Sequence, residues 1–310
     1  MTTFSKANFK TLQYNTFRPQ YPSSFYSILS NYVAKPLPLT NAIDLGCGTG
    51  VATYPLLNIS SNVIGVDLSP SMVNTANSLM SSRLQELGGD SKFNIKFIAG
   101  AVEEFVKEDS ELLGQVDLIT AGQCIHWFQD YDSFFANAAK LLAPGGVLAY
   151  FYYIDPIIVN FSNAGENKAE IINKAHEIYM KYAYDDPKLM GPHWEQPGRD
   201  ILKHFCASVN EHIPNDLYTD VTINTFVPSV NKPFADEPVD LDLKKTGIKL
   251  QGYVDYLTTY SGLHNYIEAT GDTKFLDRFL QELEQATGWN RDTTVLDLVW
   301  NTGYTFIRKK

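Results

Sequence analysis

The chain reads as an α/β protein, doubly wound on a mostly parallel sheet. Short continuous apolar runs recur between residues 43 and 154, as expected of strands covered on both faces. Segments with helical spacing of apolar residues lie between those runs, and such alternation builds parallel sheets with helices on either side. A glycine-rich turn, AIDLGCGTGVAT at 42–53, follows the first run, where such sheets pass from strand to helix.

Residues 1 to about 40 read as short helical segments and loop, and FRPQYPSSF at 17–25 carries two prolines. Strands follow at 43–45 (IDL), 62–68 (NVIGVDL), 95–100 (IKFIAG), 116–122 (VDLITAG) and 146–154 (GVLAYFYYI). Ser69 before Pro70 is an N-cap signal, and Met72, Val73, Ala76, Leu79 and Met80 then recur on one helical face. Phe134, Phe135, Ala138, Leu141 and Leu142 repeat that spacing ahead of the turn Pro144-Gly145-Gly146. The alternation breaks after about residue 155. A helical stretch at 167–184, the loop GPHWEQPGR at 191–199 and a strand-like 220–227 follow. Helical spacing returns at 253–267 and 275–285, and a strand-like run closes the chain at 295–309. The expected organisation is an N-terminal segment (1–34), an α/β core (35–155), an inserted cap (156–250) and a C-terminal part (251–310) completing the core.

Apolar residues make up 44 % and charged residues 19 % of the 310, which is ordinary globular composition. Aromatics at 13 % suit either a large aromatic core or a pocket lined with rings. A formal net charge of −10 without a basic run argues against a nucleic-acid face, and an anionic ligand would need a local basic cluster. Three scattered cysteines form neither a disulfide framework nor a zinc spacing, so a reducing cytoplasm is expected. The six histidines show no metal-ligand spacing. No secretory start and no membrane-spanning run is visible. Oligomeric state is not readable.

Asp44-Leu45-Gly46-Cys47-Gly48-Thr49-Gly50 lets a ligand touch bare backbone. It lacks the lysine ending of a phosphate loop, and its glycines fall at GxGxG rather than GxGxxG. Asp67 closes the next strand, where an acid can take both hydroxyls of a ribose. The acid, the GxGxG turn and the second acid together resemble class I S-adenosylmethionine-dependent methyltransferases. That resemblance implies a Rossmann-like seven-stranded sheet and S-adenosyl-L-methionine as cofactor. It implies that Gly46, Cys47, Gly48 and Gly50 approach the methionine part and that Asp67 holds the ribose. Leu68, Met72, Ala101 and Val102 would lie near the adenine, with Gln123 also on the cofactor. Asp44 either braces the loop or meets the cofactor amine; Leu68 and Met72 serve either the core or the ligand.

Gln123-Cys124-Ile125-His126-Trp127 resembles the AxHW pattern of small-molecule methyltransferases. His126 is then either a structural histidine or a wall or general base of the transfer site; Cys124 reads as a packed small residue rather than a nucleophile. Tyr14-Asn15-Thr16-Phe17-Arg18-Pro19-Gln20-Tyr21-Pro22 resembles the family's YxxxRPxYP segment. The resemblance implies a lid with Tyr14, Arg18 and Tyr21 near the cofactor carboxylate or the substrate; otherwise the segment is a helix–turn packed on the sheet edge. With GPHWEQPGR and the closing LVWNTGY, the order of landmarks resembles fungal trans-aconitate methyltransferases. In that family pattern Trp194 and Arg199, with His126 and Trp127, face the substrate; otherwise Trp194 caps the core. The implied reaction is monomethyl esterification of a small polycarboxylic acid, with Arg18 and Arg199 holding the carboxylates left free. Methylation of a terpenoid acid or a phenol, or cofactor binding without catalysis, are the competing readings.

Overall fold

A computed structural model describes residues 17–89, 94–102, 105, 110–228 and 240–310. Its strands are β1 (Leu39–Leu45), β2 (Ser60–Asp67), β3 (Asn94–Ala99), β4 (Val116–Gly122), β5 (Leu142–Phe161), β6 (Tyr218–Phe226), β7 (Lys244–Lys249) and β8 (Val295–Lys309). One sheet runs β3-β2-β1-β4-β5-β8-β6, with β7 also on β8. β1 to β5 are parallel, and β8 is antiparallel to β5, β6 and β7. The doubly wound, mostly parallel architecture expected from the alternation is what the chain adopts.

The described sheet has eight strands rather than the expected seven. The outer edge of β8 carries two short strands end to end: β7 pairs with 295–299 and β6 with 302–309. Both belong to the stretch read as an inserted cap, and so does the end of β5. That strand continues past Pro156, which the ladder tolerates because the pairing with β8 shifts register between Tyr153 and Pro156.

Strand order reverses between β1 and β4, so the crevice outside their carboxyl ends is where such a sheet takes a ligand. Strand periodicity divides the core into two. Val147, Ala149, Phe151 and Tyr153 of β5 face one cluster, and Leu148, Tyr150, Tyr152 and Ile154 face the other. On the first face, α1 (Ser23–Val33) buries Phe25 with its ring 4.5 Å from that of Phe151. On the same face, α4 (Lys168–Met180) continues into a π turn at Lys181–Asp185 and packs against α9 (Phe275–Thr287). The helix α2 (Pro70–Glu86) starts where expected: the Ser69 hydroxyl accepts from the Met72 N–H, and Met72, Val73 and Ala76 are buried. The helix α3 (Tyr131–Leu141) is capped by Asp130. The short α5 (Gly198–Lys203) and α6 (Ala207–Asn210) follow the 191–199 loop, and α7 (Leu250–Leu257) and α8 (Ser261–Thr270) precede α9. No described helix is long and apolar enough to cross a membrane.

Candidate functional site

A cleft of about 270 Å³ opens at the carboxyl ends of β1, β2 and β4. Its floor begins where β1 ends. Gly46 (φ +63°) and Gly48 (φ +54°) adopt left-handed conformations that a side chain would strain. A Cβ on Gly46 would lie 2.5 Å from that of Cys124, whereas one on Gly48 would meet nothing within 4 Å among the described residues. Packing requires the first glycine; the second leaves bare backbone toward the cleft.

Asp67 holds this loop from the end of β2. Its Oδ2 accepts from the Gly48 N–H and its Oδ1 from the Ser69 N–H, both at 2.8 Å. Burial raises its pKa against those two bonds. Each oxygen retains a further acceptor position. Asp44 is placed differently. It is buried behind the loop, with Oδ2 accepting from Thr53 Oγ1 at 2.6 Å and Oδ1 from Thr120 Oγ1 at 2.7 Å. Burial pushes its carboxyl up to about 6 despite those bonds. The cleft is lined by Gly46, Cys47, Gly48, Asp67, Leu68, Met72, Ala101, Val102 and Gln123 from the predicted cofactor set, but not by Asp44 or Gly50. Gly50 (φ +85°) turns the chain against the Tyr54 ring, 2.7 Å from where its Cβ would stand.

Leu68 is 54 % exposed on the rim, so it is not a core residue, whereas Met72 is buried. Burial drives the Cys47 and Cys124 thiols well above their ordinary range, and Cys124 Sγ donates to the Leu45 carbonyl at 3.0 Å. Neither is a thiolate nucleophile. No described cluster of His, Cys, Asp or Glu could hold a metal.

The far end of the cleft grows from β4. Gln123 takes φ +59° and locks its amide on the Tyr153 backbone, donating to the carbonyl at 2.8 Å and accepting from the N–H at 2.9 Å. This turns the chain into the 3-10 turn Ile125–Trp127. His126 is 4 % exposed, and its Nδ1 is buried without a hydrogen-bond partner among the described residues. Burial, then the charges of Arg199 and Arg18, lower its pKa to about 3, so the imidazole is neutral at pH 7. Trp127 packs against the start of α5, where a Cβ on Gly198 would lie 2.4 Å from its ring. The backbone of GPHWEQPGR therefore touches the HW segment directly.

Arg199 enters from that loop and is 7 % exposed. Its guanidinium lies 4.2 Å from the Trp194 ring centroid and 5.3 Å from that of Tyr184, and Nη2 donates to Asp155 at 2.6 Å. Burial opposes its charge, but Asp155 and, behind it, Tyr179 and Tyr260 together outweigh burial, so its pKa is raised. Trp194 Nε1 donates to the Ala183 carbonyl at 2.8 Å, and the residue lines the cleft. Arg18 lines the cleft among the rings of Tyr153, Tyr256 and Tyr260, donating to Tyr153 Oη at 3.2 Å and the Thr259 carbonyl at 3.0 Å. Tyr21 is also on the wall, edge-on to Phe151 with centroids 4.9 Å apart. Tyr14 lies outside the described residues.

Sequence reading missed Tyr153, Tyr260 and Ser261, which line the cleft, and Asp155 behind Arg199. Asp155 had a usable signal, as the one acid in the apolar run 146–161. Tyr260 had none among 18 tyrosines.

An acid with spare acceptor positions beside bare backbone and the apolar Leu68, Met72 and Val102 suits a ribonucleoside. No lysine among the described residues lines the cleft, which leaves polyphosphate without its usual partner. Residues 43–148 match a family model described as a methyltransferase domain. Across its whole length the chain is 24 % identical to a probable S-adenosylmethionine-dependent methyltransferase, CRG1 of Saccharomyces cerevisiae, and it spans 99 % of that protein. It is 31 % identical to a trans-aconitate 2-methyltransferase of Deinococcus radiodurans over 36 % of this chain and 37 % of that one. In fold it is similar to a putative type II methyltransferase from Anaeromyxobacter dehalogenans, with a TM-score of 0.61 at 19 % identity, covering 94 % of this chain and 98 % of the other.

Proposed function

We propose that this chain, an S-adenosylmethionine-dependent methyltransferase, methylates a carboxylate oxygen of a small organic acid. Asp67 would hold the ribose hydroxyls of the cofactor, and Leu68, Met72, Ala101 and Val102 its adenine. The Gly46–Gly48 backbone, with Cys47, Gln123 and Arg18, would meet the amino-acid end. Bound there, S-adenosyl-L-methionine supplies an electrophilic methyl group on a sulfonium.

The observation that carries the acceptor reading is a neutral His126 that shares the cleft with the guanidiniums of Arg18 and Arg199. A phenol of pKa ~10 giving its proton to a base held at about 3 faces an uphill transfer of about 10 kcal/mol. A carboxylate arrives ionised and needs no base. What remains for the protein is orientation and exclusion of water. Arg18 and Arg199 suit an anion, and Trp127, Trp194 and Tyr260 form aromatic walls. The Deinococcus relative bears the name of a tricarboxylic acceptor, and the sequence landmarks suggest the same acid. Trans-aconitate therefore belongs in the panel, beside monocarboxylic acids. The proposed partner is a small molecule, not a nucleic acid or a membrane.

The test incubates the chain with methyl-labelled S-adenosyl-L-methionine and mono-, di- and tricarboxylic acids, terpenoid acids and phenols. An alkali-labile methyl ester is expected. Label found only in alkali-stable ethers or amines, or no turnover of any acceptor, would overturn the proposal.

A further inference from the structure

Arg199 does not stand alone in the cleft wall. Behind it, Asp155 is 9 % exposed and lies 2.6 Å from its Nη2. The Tyr179 and Tyr184 hydroxyls donate to the same carboxylate at 2.7 and 2.8 Å. Asp155 occupies the register shift of β5 against β8, between Tyr153 paired with Thr302 and Pro156 paired with Trp300. A bulge of this kind re-aims a side chain that regular pleating would place elsewhere. Of the pair, Arg199 lines the cleft and Asp155 does not.

We infer that Asp155 is a specificity-determining residue: it cancels the Arg199 charge, so that this end of the cleft accepts an acid presenting one carboxylate and disfavours acids of higher charge. This narrows the carboxylate reading proposed above, rests on it for the chemistry of the acceptor, and speaks against the tricarboxylic acid that the relative's name and the sequence landmarks suggest. Arg199 still offers N–H donors in a fixed planar edge over Trp194. Asp155 leaves that directionality intact and removes the share of the net attraction that Arg199 would add to gather a second and third carboxylate. Its own negative charge repels each further carboxylate brought near, at a distance only a few ångströms greater than the attraction acts.

The experiment measures binding by calorimetry on the full chain saturated with S-adenosylhomocysteine, at fixed ionic strength, with butyrate, succinate and tricarballylate as probes. The wild type is expected to bind tricarballylate no more tightly than butyrate. Asp155→Asn should shift that ratio toward tricarballylate by about tenfold or more, and Asp155→Glu should not. Removing either member of a buried pair can unfold a protein, so the wild type is itself a test that needs no variant: tricarballylate bound about tenfold or more tighter than butyrate overturns the inference. In a folded chain, Arg199→Gln supplies the opposite test. It leaves Asp155 uncompensated and should weaken tricarballylate about tenfold more than butyrate. An unchanged ratio in a folded Asp155→Asn, equal losses in Arg199→Gln, or an equal shift in Asp155→Glu would overturn the inference. So would failure of tricarballylate to bind any variant. Ester formation by the wild type reports separately on the carboxylate reading. A wild type that makes an ester beside an unchanged Asp155→Asn ratio sinks only the inference. A shifted ratio without any esterified acid sinks only the reading.

Discussion

Asp44 and Asp67 are the same residue at the ends of neighbouring strands, and their surroundings give them different work. Asp67 spends two acceptor positions on backbone N–H groups and faces the cleft; Asp44 gives both oxygens to threonine hydroxyls behind it. Asp67→Ala should therefore weaken S-adenosyl-L-methionine binding about 100-fold by calorimetry, the scale of two hydrogen bonds to a charged group. Asp44→Ala should shift that affinity only a few-fold and lower stability by ~1–3 kcal/mol in urea, because two buried hydroxyls lose their acceptor. His126 makes a pH prediction. Its folded pKa is about 3 against an ordinary 6.5 for a solvated imidazole, so between those values the unfolded chain holds a proton that the folded chain does not. Stability then falls as pH falls through that window, by up to roughly 1.4 kcal/mol per pH unit. Asp44, raised from 3.8 to about 6, has the opposite sign where the windows overlap. The comparison is thus with His126→Asn, which should lose less stability than the wild type between pH 6.5 and 4. Parallel urea midpoints over that range would show that His126 is not the group responsible.

Among the elements, the carboxyl end of β4 and the start of α5 act as one piece, because Gly198 lets the Trp127 ring sit on its backbone. Gly198→Ala forces that ring to move and should cost ~1–3 kcal/mol. It should also raise KM for the acceptor while leaving cofactor affinity unchanged, which a KM and Kd measurement on one preparation resolves. Both ends of this contact were visible in sequence as HW and GPHWEQPGR. Their meeting was not, since helical and strand periods report which face is apolar and not what that face meets. The Ser69 cap was legible because the bond spans three residues. The bulge at Asp155 was hidden because Pro156 ordinarily ends a strand, and only pairing with β8 carries β5 past it.

At the scale of the molecule, β8 joins the parallel half of the sheet to β6 and β7, and its residues 302–309 pair with β5 on one side and β6 on the other. Deleting residues 302–310 should abolish cooperative unfolding and the near-ultraviolet circular dichroism signal; a truncated chain with native-like unfolding would mean that β6 finds another partner. The sequence by itself determined the alternation that makes the parallel core, the glycine turn after β1 and the acid closing β2. These depend on near neighbours: allowed backbone angles, strand and helix periods, and a cap a few residues away. Only the tertiary structure decided that Asp44 lies behind the loop and Asp67 faces the cleft, that Arg199 is held by Asp155, and that Arg18 reaches the Thr259 carbonyl. Those outcomes join strand ends and loops brought together only when the sheet winds in both directions from β1 and β4. No local period encodes which side chains then meet across the crevice.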